Sequence, residues 1–295
     1  MTKRKIFISA GVLVLFLLAA ILLLLKSAKV FEKDEWTISQ YGPREINSSF
    51  YTIYNPKKGL IVVDGGWEED AEYVRSAIAL FGNKVDAWIL THPHQDHIGA
   101  FNVIYQDLQG IEIDKIYTVD MAAPKDCLAA APWDNTDAYQ DFLDLEIPEL
   151  EYVSIGDKFT LCDLTIEIYN AYGKHVKELS SDYINDGSMM FKVTGEKESM
   201  LFCADVGSSL SDYLLDYWGS KLKADYLQMG HHGFGGLKDD FYQMTAPKKA
   251  FFDAPEHMMK DTTGTYDNPE NAALMESLGS EIISFDGTPH SVILK

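Results

Sequence analysis

The sequence predicts a mixed α/β domain carried behind one membrane-spanning helix. Three observations predict it. Strand-like and helix-like segments alternate from Trp36 to Lys295 with no linker or repeat between them, enough chain for one large domain. Several short apolar runs end abruptly in Asp or His, as strands delivering side chains to one edge would. Ile6–Leu25 contains no charge and is long enough, as a helix of about 30 Å, to cross a bilayer core.

In chain order, strands are expected at Trp36–Ser39, Phe50–Tyr54 and Leu60–Val63, the last two joined by the hairpin-like Asn55-Pro-Lys-Lys-Gly59. A helix over Glu68–Phe81 puts Ala71, Val74, Ile78 and Phe81 on one face. A buried strand at 85–90, a helix from His97 to about Asp107 and a strand at Lys115–Val119 follow. The second half repeats the alternation: strands Leu164–Tyr169, Met189–Val193 and Met200–Ala204, a helix at Ser209–Trp218, strands 225–229 and Ala250–Asp253, a helix at 269–278, and strands Glu281–Phe285 and Ser291–Leu294. Asp120–Glu151 is acidic, poor in strand signal and reads as a lid. Tyr172–Gly187 is a second candidate for substrate selection, with Lys174, His175 and Lys177 as contacts for an anion. Trp133 and Tyr172 are the aromatic candidates for a cationic headgroup.

Lys3, Arg4 and Lys5 precede the apolar run, so residues 1–5 form a basic cytoplasmic tail, 6–25 a single-pass anchor and 26–35 a linker. The domain at 36–295 then faces outward from the cell membrane. A cleaved signal peptide is the competing reading, but the apolar run exceeds a typical signal core and Lys26-Ser27-Ala28 is a poor cleavage site. Cys127, Cys162 and Cys203 have no CxxC spacing and indicate no disulfide framework.

The chemistry is concentrated in Ile89-Leu-Thr-His92-Pro-His94-Gln-Asp96-His97-Ile-Gly-Ala100. Pro93 ends the preceding strand, so His92 and His94 can face one point while Asp96 and His97 turn onto the next helix. Imidazole and carboxylate donors in two such groups suit two adjacent divalent cations of the zinc type. Five of the eight histidines lie here or in His231-His232, which argues against chance scatter.

With these residues the chain resembles the metallo-β-lactamase-fold hydrolases, and it does so from about Trp36 onward. The motif order matches: Leu60-Ile-Val-Val-Asp64-Gly-Gly66, the histidine motif, Met200-Leu-Phe-Cys-Ala-Asp205, and Asp225-Tyr-Leu-Gln-Met-Gly-His231-His232-Gly233. The resemblance implies an αββα sandwich with metals at one edge, Asp64 as a support for the histidine loop, and Asp205 as a bridging carboxylate. The His-His-Gly ending, Asn185-Asp-Gly-Ser188 and Tyr266-Asp-Asn-Pro269 resemble the branch holding competence DNA-uptake hydrolase domains and bacterial phosphorylcholine esterases. Asn268 departs from that branch's usual histidine, and no histidine occupies the slot of a third ligand to the first metal; His175 reads as exposed rather than ligating.

The implied ligand count is His92, His94 and Asp205 for one metal, and Asp96, His97, Asp205 and His232 for the other. His232 is chosen because it directly precedes Gly233, and the reverse assignment with His231 stays open. The cofactors are two divalent ions, Zn2+ or Mn2+. Two close dications lower the pKa of a shared water towards neutrality, which predicts hydrolysis by hydroxide. Asp96, Asp205 and His231 take the catalytic roles, His231 by donating to an oxyanion or leaving group. No P-loop or dinucleotide-binding pattern is present.

Charge narrows the substrate. Residues 1–29 hold five of the 25 basic residues and none of the 45 acidic ones, leaving a net charge of −25 on the remainder. Such a domain repels polyanions at long range, which favours a small phosphodiester or headgroup-type substrate over nucleic acid. A β-lactam or lactone hydrolase, a nuclease and a non-enzymatic binding domain are the alternatives. The intact ligand set counts against the last.

The topology prediction is direct. Protease added to intact protoplasts should digest the domain, and the undigested chain should stay with membranes after a salt wash. A soluble form beginning near Lys29 would show signal cleavage instead.

Overall fold

The computed structural model describes residues 35–42 and 45–295. The expected basic tail, the anchor at Ile6–Leu25 and all but the last residue of the linker lie outside the described residues. Among those described, no helix is long and apolar enough to cross a membrane.

The first half supplies β1 (Trp36–Gln40), β2 (Phe50–Asn55), β3 (Gly59–Asp64), β4 (Lys84–Val85), β5 (Ala87–Ile89), β6 (Glu112–Ile113), β7 (Ile116–Val119) and β8 (Leu150–Val153). The second supplies β9 (Lys158–Leu161), β10 (Leu164–Asn170), β11 (Met190–Thr194), β12 (Ser199–Phe202), β13 (Tyr226–Gln228), β14 (Lys249–Phe251), β15 (Glu281–Ile283) and β16 (His290–Leu294). Two seven-stranded sheets result, ordered β16-β1-β2-β3-β5-β7-β8 and β15-β14-β13-β12-β11-β10-β9, with β4 and β6 forming a separate pair. Each large sheet is antiparallel at one end and parallel at the other: β3, β5, β7 and β8 run parallel in the first, and β12 to β15 in the second.

The sheets face one another through an aromatic layer. Tyr51 of β2 meets the Phe202 ring edge-on at 5.2 Å, and Phe202 stacks on Phe191 at 4.8 Å. Strand alternation then decides what lies outside: Met200 and Phe202 join the inner core, while Leu201 joins Leu227, Ala250, Leu214, Phe241 and Met275 beneath the helices of the second half. Helices cover the outer faces, so the expected mixed α/β sandwich is the observed architecture.

Several expected elements end elsewhere, for reasons outside their own sequence. The strand at 85–90 breaks at Asp86, whose N–H donates to Leu60 O and whose Oδ2 accepts from Leu60 N–H, both at 2.9 Å. Lys84–Val85 therefore pairs with β6 and Ala87–Ile89 with β3 and β7. The helix expected over Glu68–Phe81 opens with a 3-10 turn at Glu68–Asp70 and continues as α1 (Ala71–Ala79). The segment read as a lid contains α3 (Pro124–Ala130) and α4 (Asp137–Leu143), placed after α2 (Gln95–Gln106). Strands β8 and β9 escaped the sequence reading because they are the outer edges of their sheets, half exposed and charged.

Helix α2 sits tightly against the end of β3. The N–H groups of Gly65 and Gly66 donate to His97 O at 2.8 and 3.2 Å, and Ala100 N–H donates to Gly66 O at 3.0 Å. Gly99 permits this approach, since a Cβ there would lie 2.5 Å from Glu68 N and 2.9 Å from Trp67 C, both backbone atoms. Gly99→Ala should therefore destabilise the domain by about 1–3 kcal/mol, read as a lower urea midpoint at unchanged m-value.

Candidate metal centre

The centre lies where β3, β5, β12 and β13 end together. Asp64, the last residue of β3, is fully buried and accepts from Thr91 N–H on Oδ1 and from Thr91 Oγ1 on Oδ2, both at 2.8 Å. Its Oδ2 also lies 2.8 Å from His97 Nδ1. In a neutral His97 that bond holds the proton on Nδ1 and turns Nε2 inward as the ligand atom. The same logic operates at His94, whose Nε2 lies 2.9 Å from Asp134 Oδ1 while Nδ1 faces His92 Nε2 at 3.1 Å.

Two groups of ligand atoms result. His92, His94 and Asp205 form one, and Asp96, His97 and His232 the other, the atoms of each lying within 4.8 Å of one another. Asp205 stands between them: Oδ1 is 3.1 Å from His97 Nε2, and Oδ2 is 3.3 Å from His232 Nε2 and 3.8 Å from His92 Nε2. His232 Nε2 also lies 3.0 Å from Asp96 Oδ2, which accepts from Asn47 Nδ2 at 2.6 Å.

These residues fit a pair of cations. Among the described residues, Asp205 Oδ1 is buried without a hydrogen-bond partner. His97 Nε2 and His232 Nε2 stand 3.4 Å apart, close enough to serve one ion together. The donors are imidazole and carboxylate only, as zinc-class ions in open sites prefer.

Residues 41–109 match the model of the metallo-beta-lactamase superfamily. Among solved structures, the metallo-beta-lactamase fold protein YhfI from Bacillus subtilis aligns with a TM-score of 0.54 at 13% identity, over 88% of this chain and 100% of that one. The chain has the metallo-β-lactamase fold. CmlA, a diiron beta-hydroxylase from Streptomyces venezuelae, aligns with a TM-score of 0.55 at 11% identity; the match covers 89% of this chain but 55% of CmlA. No curated protein matches the chain in sequence.

The buried carboxylates of this metallo-β-lactamase-fold site favour positive charge beside them. Burial would lower His97 and His232, but Asp205 with Asp64 raises His97 well above the ordinary histidine range, and Asp205 with Asp96 raises His232 to about 10. Burial also opposes ionisation of Asp96, yet the His232 hydrogen bond and the charges of His97 and His232 bring it down to about 2. His92 moves the other way, driven well below its usual value by burial and by His97.

Of the sequence-predicted residues, all six proposed ligands meet here, and His231 stands at the rim, 27% exposed, its Nε2 3.8 Å from Asp205 Oδ2. His175 does not join them. It was expected to be exposed; it is half-buried, bonded to Asn170 Oδ1 at 2.8 Å and stacked on Tyr213. Tyr172 has its own cation, Lys177, 5.2 Å from the ring centroid. Trp133 remains 72% exposed. Asn268 is fully buried and holds the backbone behind the site, its Nδ2 donating to His232 O at 3.1 Å.

Sequence reasoning missed Asn47 and Asp134. Neither lies in a motif, and Asp134 reads locally as a turn residue, so only the packing of the α3–α4 segment brings it to His94. Asp134→Ala should weaken metal binding about 10–100-fold by freeing the His94 ring, read by titration with Zn2+ against a chromophoric chelator. Asp96→Ala should reduce the bound metal from two ions towards one, read by elemental analysis; full occupancy in that variant would contradict the two-group arrangement.

Proposed function

We propose that the chain is a two-metal hydrolase that cleaves phosphodiesters of modest size, such as headgroup esters, at the outer face of a cell membrane. The observation that carries this reading is a pair of three-donor ligand groups, with Asp205 of the first also 3.1 Å from His97 and 3.3 Å from His232 of the second; the first group, with three protein ligands, keeps a position for water or substrate. When bound, two divalent cations, most simply Zn2+, supply Lewis acidity and lower the pKa of water.

The chain's own residues do the rest. Asp205 stands within 3.1 to 3.8 Å of imidazoles from both groups and is placed to orient a nucleophile between them. Asp96, steadied by Asn47, fixes the second group. His231 reaches the rim with its Nε2 free of any hydrogen bond among the described residues and donates to the leaving group or to a developing oxyanion. Trp133, beside Asp134, offers an exposed ring to a cationic headgroup. The resemblance of the His231-His232-Gly233 and Asn185–Ser188 segments to the phosphorylcholine esterase branch supports phosphorus chemistry, and the charge of −25 on residues 30–295 disfavours long nucleic acid.

Wild type and His94→Ala should be compared on bis(p-nitrophenyl) phosphate, a phosphorylcholine ester and single-stranded DNA, with and without a chelator. Wild type should turn over the small diesters, and the mutation or the chelator should cut the rate by roughly a hundredfold or more. Efficient DNA degradation at low salt would overturn the substrate choice. Lactam or lactone cleavage without phosphodiester turnover would overturn the reaction class, and metal-dependent oxidation in place of hydrolysis would point to the chemistry of CmlA.

A further inference from the structure

Strand β12 stops pairing before it reaches Asp205. Its register with β13 runs Met200 with Tyr226, Leu201 with Leu227 and Phe202 with Gln228, and there the ladder ends. The N–H of Ala204 therefore has no strand partner and is taken by a side chain: Gln228 Oε1 accepts from it at 2.7 Å. On its other side the Ala204 carbonyl accepts from His231 N–H at 2.8 Å. Ala204 needs both, because its φ of +47° lies in the left-handed region that an alanine rarely occupies.

Gln228 is itself held by a buried polar chain that crosses between the sheets. It is 1% exposed, and its Nε2 donates to Asp253 Oδ2 at 3.0 Å. Asp253 is fully buried and accepts on Oδ1 from Tyr51 Oη at 2.5 Å and Gln40 Nε2 at 2.7 Å. Tyr51 and Gln40 belong to the first sheet, Gln228 to the second, and Asp253 lies two residues beyond the end of β14. The Ala204 N–H at one end and the Asp253 carboxylate at the other leave the Gln228 amide one orientation only.

We infer that Gln228 is a positioning residue for the metal centre: by fixing the peptide before Asp205, it sets where that carboxylate stands between the two ligand groups, and Asp253 keeps Gln228 in place. A Gln serving only the fold would satisfy a buried N–H just as well, so the two roles differ in what its removal does to metal binding. The inference rests on Asp205 being a metal ligand, and the experiment separates the two claims.

Full-length wild type, Gln228→Met, Gln228→Glu and Tyr51→Phe are titrated with Co2+ alone, following the visible d–d bands, with urea unfolding in parallel. Gln228→Met should bind Co2+ roughly 10–100-fold more weakly and with an altered spectrum, because the Ala204 N–H loses its acceptor. Gln228→Glu keeps an oxygen for that N–H and shares a proton with Asp253, so it should restore the wild-type spectrum. Tyr51→Phe should lose stability and leave the spectrum unchanged, since Gln40 and Gln228 still hold Asp253. Should Gln228→Met not fold, Gln228→Asn, one methylene too short to reach Ala204, is read in the same way. Wild-type Co2+ affinity and spectrum in the folded Met or Asn variant would overturn the inference. Absence of Co2+ binding by wild type would overturn the metal-centre reading and this inference with it.

Discussion

Asp205 is a carboxylate buried among imidazoles, and its neighbourhood has to be balanced by positive charge. It is 2% exposed and lies within 3.1 to 3.8 Å of His92, His97, His231 and His232. Asp64, on the other side of the His97 ring, is fully buried and Asp96 is 13% exposed, yet among the described residues no lysine or arginine forms an ion pair with any of the three. Buried carboxylates without compensation cost several kcal/mol each. Protonated His97 and His232 can supply that charge, and so can a pair of cations, which additionally satisfies lone pairs that a proton cannot.

The protein holds this arrangement by spending backbone strain at the strand ends. Asp64, Ala204, His231 and His232 all have positive φ, between 47° and 57°, although none is glycine. Such conformations cost of order 1–3 kcal/mol each and persist only where surrounding bonds leave no alternative. Here they do: the Asp64 carbonyl accepts from Trp88 Nε1 at 2.8 Å, Ala204 is held by Gln228 and His231, and the His232 carbonyl by Asn268. Each left-handed residue lies at or just beyond the end of a strand, where it turns the chain and helps bring side chains from both sheets to one point.

The site also unites segments of very different character. Its floor is strand ends fixed by the inter-sheet core. One wall is the α3–α4 segment, which places Asp134 against His94 and leaves Trp133 in solvent. This segment therefore touches both the machinery and the space a substrate would enter, so changes in it should be felt in ligand geometry as well as in substrate preference. Its two helices are short and mostly exposed, the kind of element that local packing, more than propensity, must hold in place.

The amino-acid sequence by itself determined the alternation of strands and helices and the chemistry of the motifs. Spacing alone put His92, His94, Asp96 and His97 on one strand-to-helix turn, because Pro93 and the helix start leave little conformational choice there. Asp205 and His231-His232 were legible as polar residues at the ends of apolar strands. Only the tertiary structure decided which imidazole of the pair turns inward, since that depends on the positive φ of both residues and on the Asn268 tie behind them. It alone decided the break at Asp86, the edge strands β8 and β9, and the roles of Asn47, Asp134 and Gln228. The reason is common to Asp86, Asn47, Asp134 and Gln228. Each is a polar group whose partner is distant in the chain, and a local pattern records hydrophobic period and turn chemistry but not the far end of a hydrogen bond.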